Sequence, residues 1–536
     1  MNWTAKSAVH PAIPAIVVGT VSRLWEIIPK VDRKLREKRV LAILAELGPW
    51  QTASGPLYHT LADAIRRAVE RGALSGGLAL PSERVLAEHL AVSRSTVVAA
   101  FDRLKREGWL VARRGSGTAV RHVGAGRAAP PEPALFTRAD GGDQPSRARG
   151  AVDFSFSSPA ALPWVAAEIS RAARDLEAHA LSHHGYDPDG IPALRQALAD
   201  HYTARGLATS PEQILVTSGA QQAIALCAHA LVPPGGRALV ESPAYPGTLD
   251  ALRVAGATLA ALEVDRAGLD LDALEHVLRA HRPHALFVSP TFNNPTGRTL
   301  DPTSREHLVD AAVRHGVPIV EDLTMEQIAL DAPDAPLPPP LALVAEGTRV
   351  DGRRARVLTI GSAGKIFWGG LRVGWLRASA EDVAHLRRLK VAADLATSLP
   401  GQLAVLALVP QLARARRDRA AELAPRRDLL LRLLGEAIPA WLARKPEGGT
   451  ALWATLPHGD GASFAQVAAG HGVAVVPGAS FLPVAPPSTL GGPAEPHLRI
   501  SFVAPPAVLE EGVGRLAAAW RTYRQGSGQQ ASRLVI

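Results

Sequence analysis

A single lysine, Lys365, stands in a stretch of glycines, small residues and aromatics, "GSAGKIFWGGLRVGW" (361–375). The pair Gly364-Lys365 looks like the end of a phosphate-binding P-loop, but that motif also requires glycine at position 359 and a hydroxyl residue at position 366. The chain has Thr359 and Ile366 there, so the P-loop is excluded. The lysine therefore requires a different chemistry.

Three other polar clusters each follow a short apolar run. "VTSGAQQAI" (216–224) indicates a strand, a small-residue turn and a helix start, whose backbone N–H groups form an anion cradle. "FNNPTG" (292–297) offers two amides, and "VEDL" places Glu321 and Asp322 at another strand end. Acidic residues in such a position can equally be helix caps. Arg372 lies seven residues after Lys365.

Taken together, these groups suit one ligand. They supply an anion cradle with an arginine, an amide donor, a carboxylate and a lysine, which is the set that pyridoxal 5'-phosphate requires. A lysine in a dry pocket beside another cation also has the lowered pKa that imine chemistry needs.

The elements that would position these groups are short apolar strands alternating with helical patterns: "QILVTSG", "RALVESP", "HALFVSP", "VPIVEDL" and "RVLTIGS". Such alternation predicts a mainly parallel sheet covered by helices, with ligands at the carboxyl ends of the strands. From about residue 410 the chain turns helical and Arg-rich and then forms short strands, "GTALWATL" and "HLRISFV". We expect a second, smaller α+β lobe there.

The N-terminal part has a different pattern. Residues 55–125 hold 11 Arg and Lys against 6 Asp and Glu, which favours an acidic partner. Three helical patterns precede "WLVARRGSGTAV", which indicates two short strands and a Gly-rich turn. Ser82 and Ser93 are suited to cap the second and third helices. The apolar positions of the third helix form one stripe that should face inward, namely Val97, Ala100, Phe101 and Leu104.

Spacing alone leaves an ordinary three-helix bundle about as plausible as a DNA-binding module. The string "LPSERVLAEHLAVSRSTVVAAFDRLKREGWLVARRGSGTAV" resembles the winged helix-turn-helix of the GntR family of bacterial regulators. The resemblance implies contacts with double-stranded DNA from Arg84, Ser93, Arg94, Ser95, Thr96, and from Arg114 and Gly115 at the wing.

Residues 151–525 are similar to fold-type I aminotransferases, and the whole chain resembles the MocR subfamily of GntR regulators. The resemblance implies pyridoxal phosphate as the cofactor, with Lys365 as its Schiff-base lysine and Asp322 on the ring nitrogen. Asn294 would bond the ring oxygen and Tyr245 would stack on the ring. The phosphate would be held by Gly219, Ala220, Gln221, Ser362 and Arg372.

Two further residues concern ligand and assembly. Arg499 of "HLRISF" matches the arginine that clamps the carboxylate of an amino acid. Tyr186 of "GYDPDGIPALR" resembles a tyrosine that reaches the cofactor of a partner subunit, which implies a homodimer. One departure is informative: Met325 stands where many catalytic members have a tyrosine, which predicts poor transamination.

Composition agrees with a protein of this kind. No apolar run approaches the length of a membrane span, no metal site is expected, and the single cysteine, Cys227, fits a reducing cytoplasm. We predict an N-terminal extension (1–54), an α+β winged helix-turn-helix domain (55–123), a linker (124–150), an α/β aminotransferase-like domain with a smaller α+β C-terminal lobe (151–525) and a tail (526–536). Residues 1–38 show no domain pattern, and we expect the native chain to start near Val40.

The function predicted from these features is a transcription regulator that binds pyridoxal phosphate and senses an amino acid, an amine or the vitamer itself. A working aminotransferase with a DNA-binding head is the alternative. A regulator that has lost the cofactor is a third hypothesis, which the presence of Lys365, Asp322, Asn294 and Arg372 argues against.

Overall fold

The computed structural model describes residues 47, 50, 57–70, 80–106, 109–113, 117–120, 150–182, 184–265, 268–269, 271–483 and 495–533. The chain divides into two compact units, Met1–Ala129 and Pro130–Ile536. Two predictions fall outside the described residues: the DNA contacts of Arg114 and Gly115 at the wing, and the start of the native chain near Val40 after residues 1–38.

The N-terminal unit is a helical module followed by a hairpin. Its elements are α1 (Leu57–Glu70), α2 (Glu83–Leu90), α3 (Arg94–Arg106), β1 (Leu110–Arg113) and β2 (Gly117–Val120), and the two strands pair antiparallel. Ser82 caps α2 by accepting a hydrogen bond from the Val85 N–H. The predicted inward stripe of α3 is fully buried, so this helix packs as its periodicity indicates.

The second unit is built from the following elements. Its helices are α4 (Pro163–Ser182), α5 (Pro192–Ala204), α6 (Ala220–Leu231), α7 (Pro246–Val254), α8 (Leu271–His281), α9 (Pro302–His315), α10 (Leu341–Gly347), α11 (Ala380–Asp394), α12 (Leu399–Leu408), α13 (Leu412–Ala437), α14 (Gly461–Gly470) and α15 (Pro506–Arg533). Its strands are β3 (Val152–Asp153), β4 (Ile214–Thr217), β5 (Arg237–Ser242), β6 (Thr258–Asp265), β7 (Gly268–Leu269), β8 (Ala285–Val288), β9 (Ile319–Asp322), β10 (Val357–Ser362), β11 (Gly374–Arg377), β12 (Leu442–Ala443), β13 (Ala451–Thr455), β14 (Val473–Ala474), β15 (Val476–Pro477) and β16 (His497–Ser501).

The large sheet is mainly parallel, as predicted. Its strand order is β4-β11-β10-β9-β8-β5-β6-β7, and only the pairings of β11 with its two neighbours and of β6 with β7 are antiparallel. Ile214 and Val216 of β4 belong to one buried apolar cluster and Leu215 to another. Successive residues of a strand point to opposite faces, so both faces of this sheet are covered.

A smaller α+β lobe follows, again as predicted. Its antiparallel sheet has the order β12-β13-β16-β15, and β3 pairs in parallel with β14. The chain thus enters the unit through this lobe, where Phe154 is fully buried, before it runs toward the large sheet. Among the described residues no helix is long and apolar enough to cross a membrane.

Candidate functional site

A pocket of about 740 Å³, counting the space that is open to solvent, lies at the carboxyl ends of the strands of the large sheet. It brings together eight residues that the sequence singles out: Ala220, Gln221, Tyr245, Asn294, Asp322, Ser362, Lys365 and Arg372. They come from five separate stretches of the chain. The parallel topology explains their convergence, because the carboxyl ends of parallel strands share one edge of the sheet.

Lys365 lies just after β10, with its amine directed at the backbone of a distant segment. Its Nζ donates a hydrogen bond to the carbonyl oxygen of Ser157 over 2.9 Å. Burial lowers the pKa of Lys365 to about 8, and the charge of Arg499 acts in the same direction, whereas Asp322 opposes it. A significant fraction of this amine is therefore the uncharged nucleophile near neutral pH.

The two acidic residues at the end of β9 have different roles. Glu321 accepts hydrogen bonds from the backbone N–H groups of Leu341 and Ala342 and from the Thr359 hydroxyl, so it caps α10. Asp322 lines the pocket and accepts the Thr324 N–H over 2.8 Å. Burial raises the pKa of Asp322, and the Thr324 hydrogen bonds and the Lys365 charge counteract this rise. The helix-cap alternative thus applies to Glu321 and not to Asp322.

The turn between β4 and α6 packs tightly against Arg372. Gly219 has a φ of +89°, and a Cβ there would lie 2.9 Å from Arg372 Nη2. A Cβ on Gly374 would lie 2.7 Å from the Ala220 nitrogen. Arg372 also donates to the Ser218 carbonyl over 2.9 Å. Free N–H groups at a helix start beside a guanidinium form a site for an anion.

Behind this turn lies a polar network that sequence reasoning missed. Asp394, at the end of α11, accepts hydrogen bonds from the Ser218 hydroxyl over 2.9 Å and the Gln222 amide over 2.8 Å. It also pairs with Lys390 over 2.9 Å, and the Lys390 side chain is fully buried. The spacing of Lys390 and Asp394 is visible in the sequence, but their link to a turn more than 170 residues away is not.

The two asparagines of the "FNNPTG" turn have different roles. Asn293 accepts hydrogen bonds from the Thr296 N–H and hydroxyl, which fixes the turn. Asn294 faces the pocket, and its Oδ1 lies 3.5 Å from Arg499 Nη1. Only the second amide is therefore placed to meet a ligand.

Tyr245 and Gln221 stand next to each other on the pocket wall. Burial raises the pKa of Tyr245 to about 12, with the Asp322 charge adding to the effect, so its hydroxyl stays protonated. The Gln221 side chain is engaged by the Gly247 carbonyl over 2.8 Å. Its Oε1 has no hydrogen-bond partner among the described residues.

Arg499 of β16 is buried, with 7% of its surface exposed, and it has no carboxylate partner among the described residues. It donates to the Ser155 carbonyl, and its Nε has no hydrogen-bond partner. The guanidinium lies over the Phe481 ring at 5.2 Å. Burial lowers the pKa of Arg499 to about 10. A buried guanidinium that makes no ion pair with the carboxylates of the described residues is well suited to bind an anionic ligand.

Other pocket residues were less visible in the sequence. Ser158, Ser289 and Thr324 line the pocket without belonging to a motif that the sequence singled out. Met325, which the sequence did single out, also lines the pocket and packs with Phe292 and Ala329. Short hydroxyl side chains are too common for their pattern to have indicated this position.

Tyr186 does not line this pocket. Its side chain is 60% exposed and lies beside the His184 ring. Its predicted role requires a second chain, so it stays a prediction.

In the N-terminal unit, the predicted DNA-contacting residues Ser93, Arg94, Ser95 and Thr96 lie at the start of α3, and Arg84 lies in the first turn of α2. The Ser93 hydroxyl lies 2.8 Å from those of both Ser95 and Thr96 and accepts the Thr96 N–H. The Arg94 side chain is 70% exposed and only 3.7 Å from a Glu83 oxygen, and Arg84 is exposed as well. The starts of α2 and α3 thus present one guanidinium group each, and the start of α3 adds three hydroxyls.

A helix-turn-helix with a strand hairpin, followed by an aminotransferase-type α/β unit, defines a class of two-part transcription regulators. The model of the bacterial regulatory proteins of the gntR family matches residues 57–120, and that of aminotransferase class I and II matches residues 156–516. The chain belongs to the MocR subfamily of GntR-family regulators. It is a DNA-binding regulator fused to an aminotransferase-like domain, which confirms the predicted fold class.

Individual relatives agree with this family. The chain is 30% identical to the HTH-type transcriptional regulator YdcR of Escherichia coli K12, over 79% of this chain and 92% of YdcR. It is 30% identical to the HTH-type transcriptional regulator TauR of Rhodobacter capsulatus, over 87% of this chain and 97% of TauR. Among solved structures, the α-aminoadipate aminotransferase LysN of Thermus thermophilus, complexed with N-(5'-phosphopyridoxyl)-L-leucine, has a TM-score of 0.62 and 28% identity, covering 70% of this chain and 93% of LysN.

Proposed function

We propose that this regulator binds pyridoxal 5'-phosphate at Lys365, and that an amino acid or amine bound in the same pocket changes its affinity for a double-stranded DNA operator. One observation carries the proposal: the Lys365 amine, with a pKa of about 8, shares a pocket with a buried carboxylate and an anion cradle. The aminotransferase fold and the LysN complex with a phosphopyridoxyl ligand support this cofactor.

The residues present fit the cofactor. The cradle formed by Gly219, Ala220 and Gln221 has no room for a Cβ at its first position, and Arg372 supplies the positive charge for a phosphate. Ser362, whose hydroxyl accepts the Gly364 N–H, lines the same end of the pocket. When bound, pyridoxal phosphate supplies an aldehyde that condenses with primary amines and a ring that withdraws electrons.

The remaining wall residues would bind the ring. Asp322 would accept a hydrogen bond from the protonated ring nitrogen, because Lys365 and the Thr324 N–H stabilise its charged form. Asn294 would donate to the ring oxygen, and Tyr245 would cover one ring face.

The effector would be recognised by its charge. Arg499 lies next to Asn294 and has no carboxylate partner among the residues that the structure describes, so it would bind the carboxylate of an amino acid through two parallel hydrogen bonds. An effector that lacks a carboxylate would leave this buried guanidinium uncompensated. Carboxylate-bearing amines are therefore the favoured effectors.

A homodimer is part of the proposal. Tyr186 is exposed on its own chain, which is consistent with a role at the cofactor of a partner subunit. Two N-terminal modules, each with Arg84, Ser93, Arg94, Ser95 and Thr96 on DNA and Arg114 and Gly115 at the wing, would bind two half-sites. Such a role in transcription is consistent with a cytoplasmic location.

A working aminotransferase is the second candidate, and one similarity favours it. The 2-aminoadipate transaminase of Thermus thermophilus is 31% identical to 62% of this chain, over 81% of its own length. Met325 counts against efficient turnover, because a thioether cannot donate a hydrogen bond to the ring oxygen. Slow conversion of a bound amino acid is therefore expected.

The test uses the full chain with added pyridoxal phosphate. Absorbance should show cofactor binding, and borohydride followed by mass spectrometry should place the cofactor on Lys365. Lys365→Ala should lose this covalent attachment, while Lys445→Ala, at a half-exposed lysine outside the pocket, should keep it. Attachment to another lysine would overturn the assignment.

The regulatory part is tested with the same preparation. Operator affinity is measured with and without candidate amino acids and amines. Rapid multiple turnover with no effect of any amine on DNA affinity would favour the enzyme instead.

A further inference from the structure

We infer that Arg419 is a positioning residue for Lys365: it ties the turn that carries the lysine to the backbone segment on which the lysine amine rests. The inference deepens the proposed function, since it concerns the residue that would bind the cofactor. The contacts from which the inference is argued are made within the protein and need no ligand.

Arg419 lies on α13 and is 1% exposed. Its Nε donates to the Ile366 carbonyl over 3.0 Å, and its Nη2 donates to the Phe367 carbonyl over 2.6 Å. These two carbonyls directly follow Lys365. The N–H groups of Phe367 and Trp368 bond back to the Ala363 carbonyl, so Lys365 is part of a single helical turn. The last carbonyls of such a turn have no partner within it, and Arg419 supplies one.

The same guanidinium reaches the opposite segment. Its Nη2 also donates to the Ala160 carbonyl over 2.6 Å, three residues after Ser157, which accepts the Lys365 amine. The Ser157 carbonyl is held in addition by the Thr450 hydroxyl over 3.2 Å. Arg419 and Lys365 therefore connect the same two stretches, residues 155–160 and 363–368, at two points.

The charge of Arg419 is balanced locally. Its Nη1 pairs with Glu422 over 2.7 Å, one turn along the same helix. The charged groups that act on the Lys365 amine are Arg499 and Asp322. Arg419 thus acts on Lys365 through the backbone that surrounds it. Without Arg419, the buried carbonyls of Ile366 and Phe367 and the partly buried carbonyl of Ala160 would need new partners, and water entering the gap would hydrate the amine.

Helix α13 provides a matched control. Arg427 is also fully buried and makes four hydrogen bonds, to Asp331, Asp428 and the Pro446 carbonyl. None of them involves the Lys365 turn or residues 155–160. Replacing Arg427 removes a comparable buried guanidinium from the same helix without touching the lysine.

The experiment measures the proton affinity of Lys365 directly on the ligand-free full chain. A trace of acetic anhydride acetylates amines only in their free-base form: an amide bond forms, and acetate and a proton leave. Mass spectrometry of the Lys365 peptide across a pH series gives the midpoint. The Lys105 peptide is the reference for reagent loss, because Lys105 pairs with Asp102 and shares no partner with Arg419 or Arg427. The chains compared are wild type, Arg419→Met, Arg419→Lys and Arg427→Met.

Wild type should titrate near pH 8. Both Arg419 variants should titrate at least about one pH unit higher, because a hydrated amine holds its proton more tightly, and should label roughly tenfold less at pH 7. Arg427→Met should keep the wild-type midpoint. If Arg419→Met does not fold, Arg419→Lys decides. It keeps the charge, but one ammonium with three N–H donors cannot replace the four hydrogen bonds of the guanidinium to three carbonyls and Glu422.

An unchanged midpoint in Arg419→Lys, or an equal shift in Arg427→Met, would overturn the inference. Failure of the proposed cofactor would look different. The labelling shift would then persist, while pyridoxal phosphate would not attach to wild-type Lys365.

Discussion

Replacing Arg94 by alanine removes one exposed guanidinium from the start of α3. The fold should tolerate the change. The Arg94 side chain is 70% exposed, and its contact with Glu83 is 3.7 Å long. Surface pairs of this kind contribute at most about 1 kcal/mol, and alanine is the best helix former. The stability of the N-terminal unit should therefore change by less than about 1 kcal/mol.

The effect on DNA binding should be larger. An arginine that bonds a guanine through two hydrogen bonds discriminates by roughly 1–3 kcal/mol, which corresponds to about a 5- to 150-fold loss in affinity. Two modules per operator would each lose this contact. Removing the Glu83 charge by Glu83→Gln should act in the opposite direction, because Arg94 is then free of its pairing partner.

The assay is fluorescence anisotropy with a duplex selected in vitro by the wild-type chain, together with variants that carry single base changes. If Arg94 reads a base, Arg94→Ala loses preference at one position of each half-site. If it binds phosphate, affinity falls uniformly and the salt dependence decreases by about one counterion per module. Arg171→Ala, which removes an equally exposed arginine from α4, is the charge-matched control. Unchanged operator affinity in Arg94→Ala would refute the recognition-helix assignment.

Three further predictions concern the pocket. The rate at which pyridoxal phosphate attaches to Lys365 should rise with pH up to about 8 and then level off, since only the free base reacts; a flat stopped-flow profile from pH 6 to 9 would contradict this. Gly219→Ala should weaken cofactor binding by about tenfold or more in an equilibrium titration, because its φ is +89° and the new Cβ meets Arg372; unchanged affinity would place the phosphate elsewhere. Met325→Tyr should speed single-turnover conversion to the pyridoxamine form by about 10- to 100-fold, as a hydroxyl donor is restored; no acceleration would show that Met325 does not limit the reaction.

The sequence predicted the strands well because their signal is local. All five apolar runs that were singled out contain a strand of the large sheet, since each run is short, buried and bounded by turn residues. The sequence also predicted that the pocket residues lie close together, because the carboxyl ends of parallel strands share one edge of the sheet. Asn294 was singled out through the family resemblance, and the structure shows a physical reason: Asn293 is occupied by its own turn.

What the sequence did not reveal depends on contacts between distant segments. Arg419 stands among many arginines of α13, and nothing in that pattern distinguishes it from its exposed neighbours. Asp394 looks like an ordinary partner of Lys390, and its contact with Ser218 arises only when α11 packs beside α6. The predicted role of the exposed Tyr186 is a different case. It would contact a partner subunit, and a single chain does not contain that surface.

The contacts of residues 155–157 have a consequence for any ligand. The carbonyl oxygens of Ser155 and Ser157 already accept hydrogen bonds from Arg499 and Lys365, so a ligand must compete with them for these two side chains. Displacing hydrogen bonds to charged groups costs about 1.5–3 kcal/mol each before the new bonds form. This cost lowers the affinity of any ligand that must displace these hydrogen bonds, so a weak ligand binds only at a higher concentration. Because these hydrogen-bond acceptors belong to the peptide backbone, replacing the side chains of Ser155 and Ser157 leaves the cost unchanged. Only a shift of the backbone of residues 155–157 can lower it.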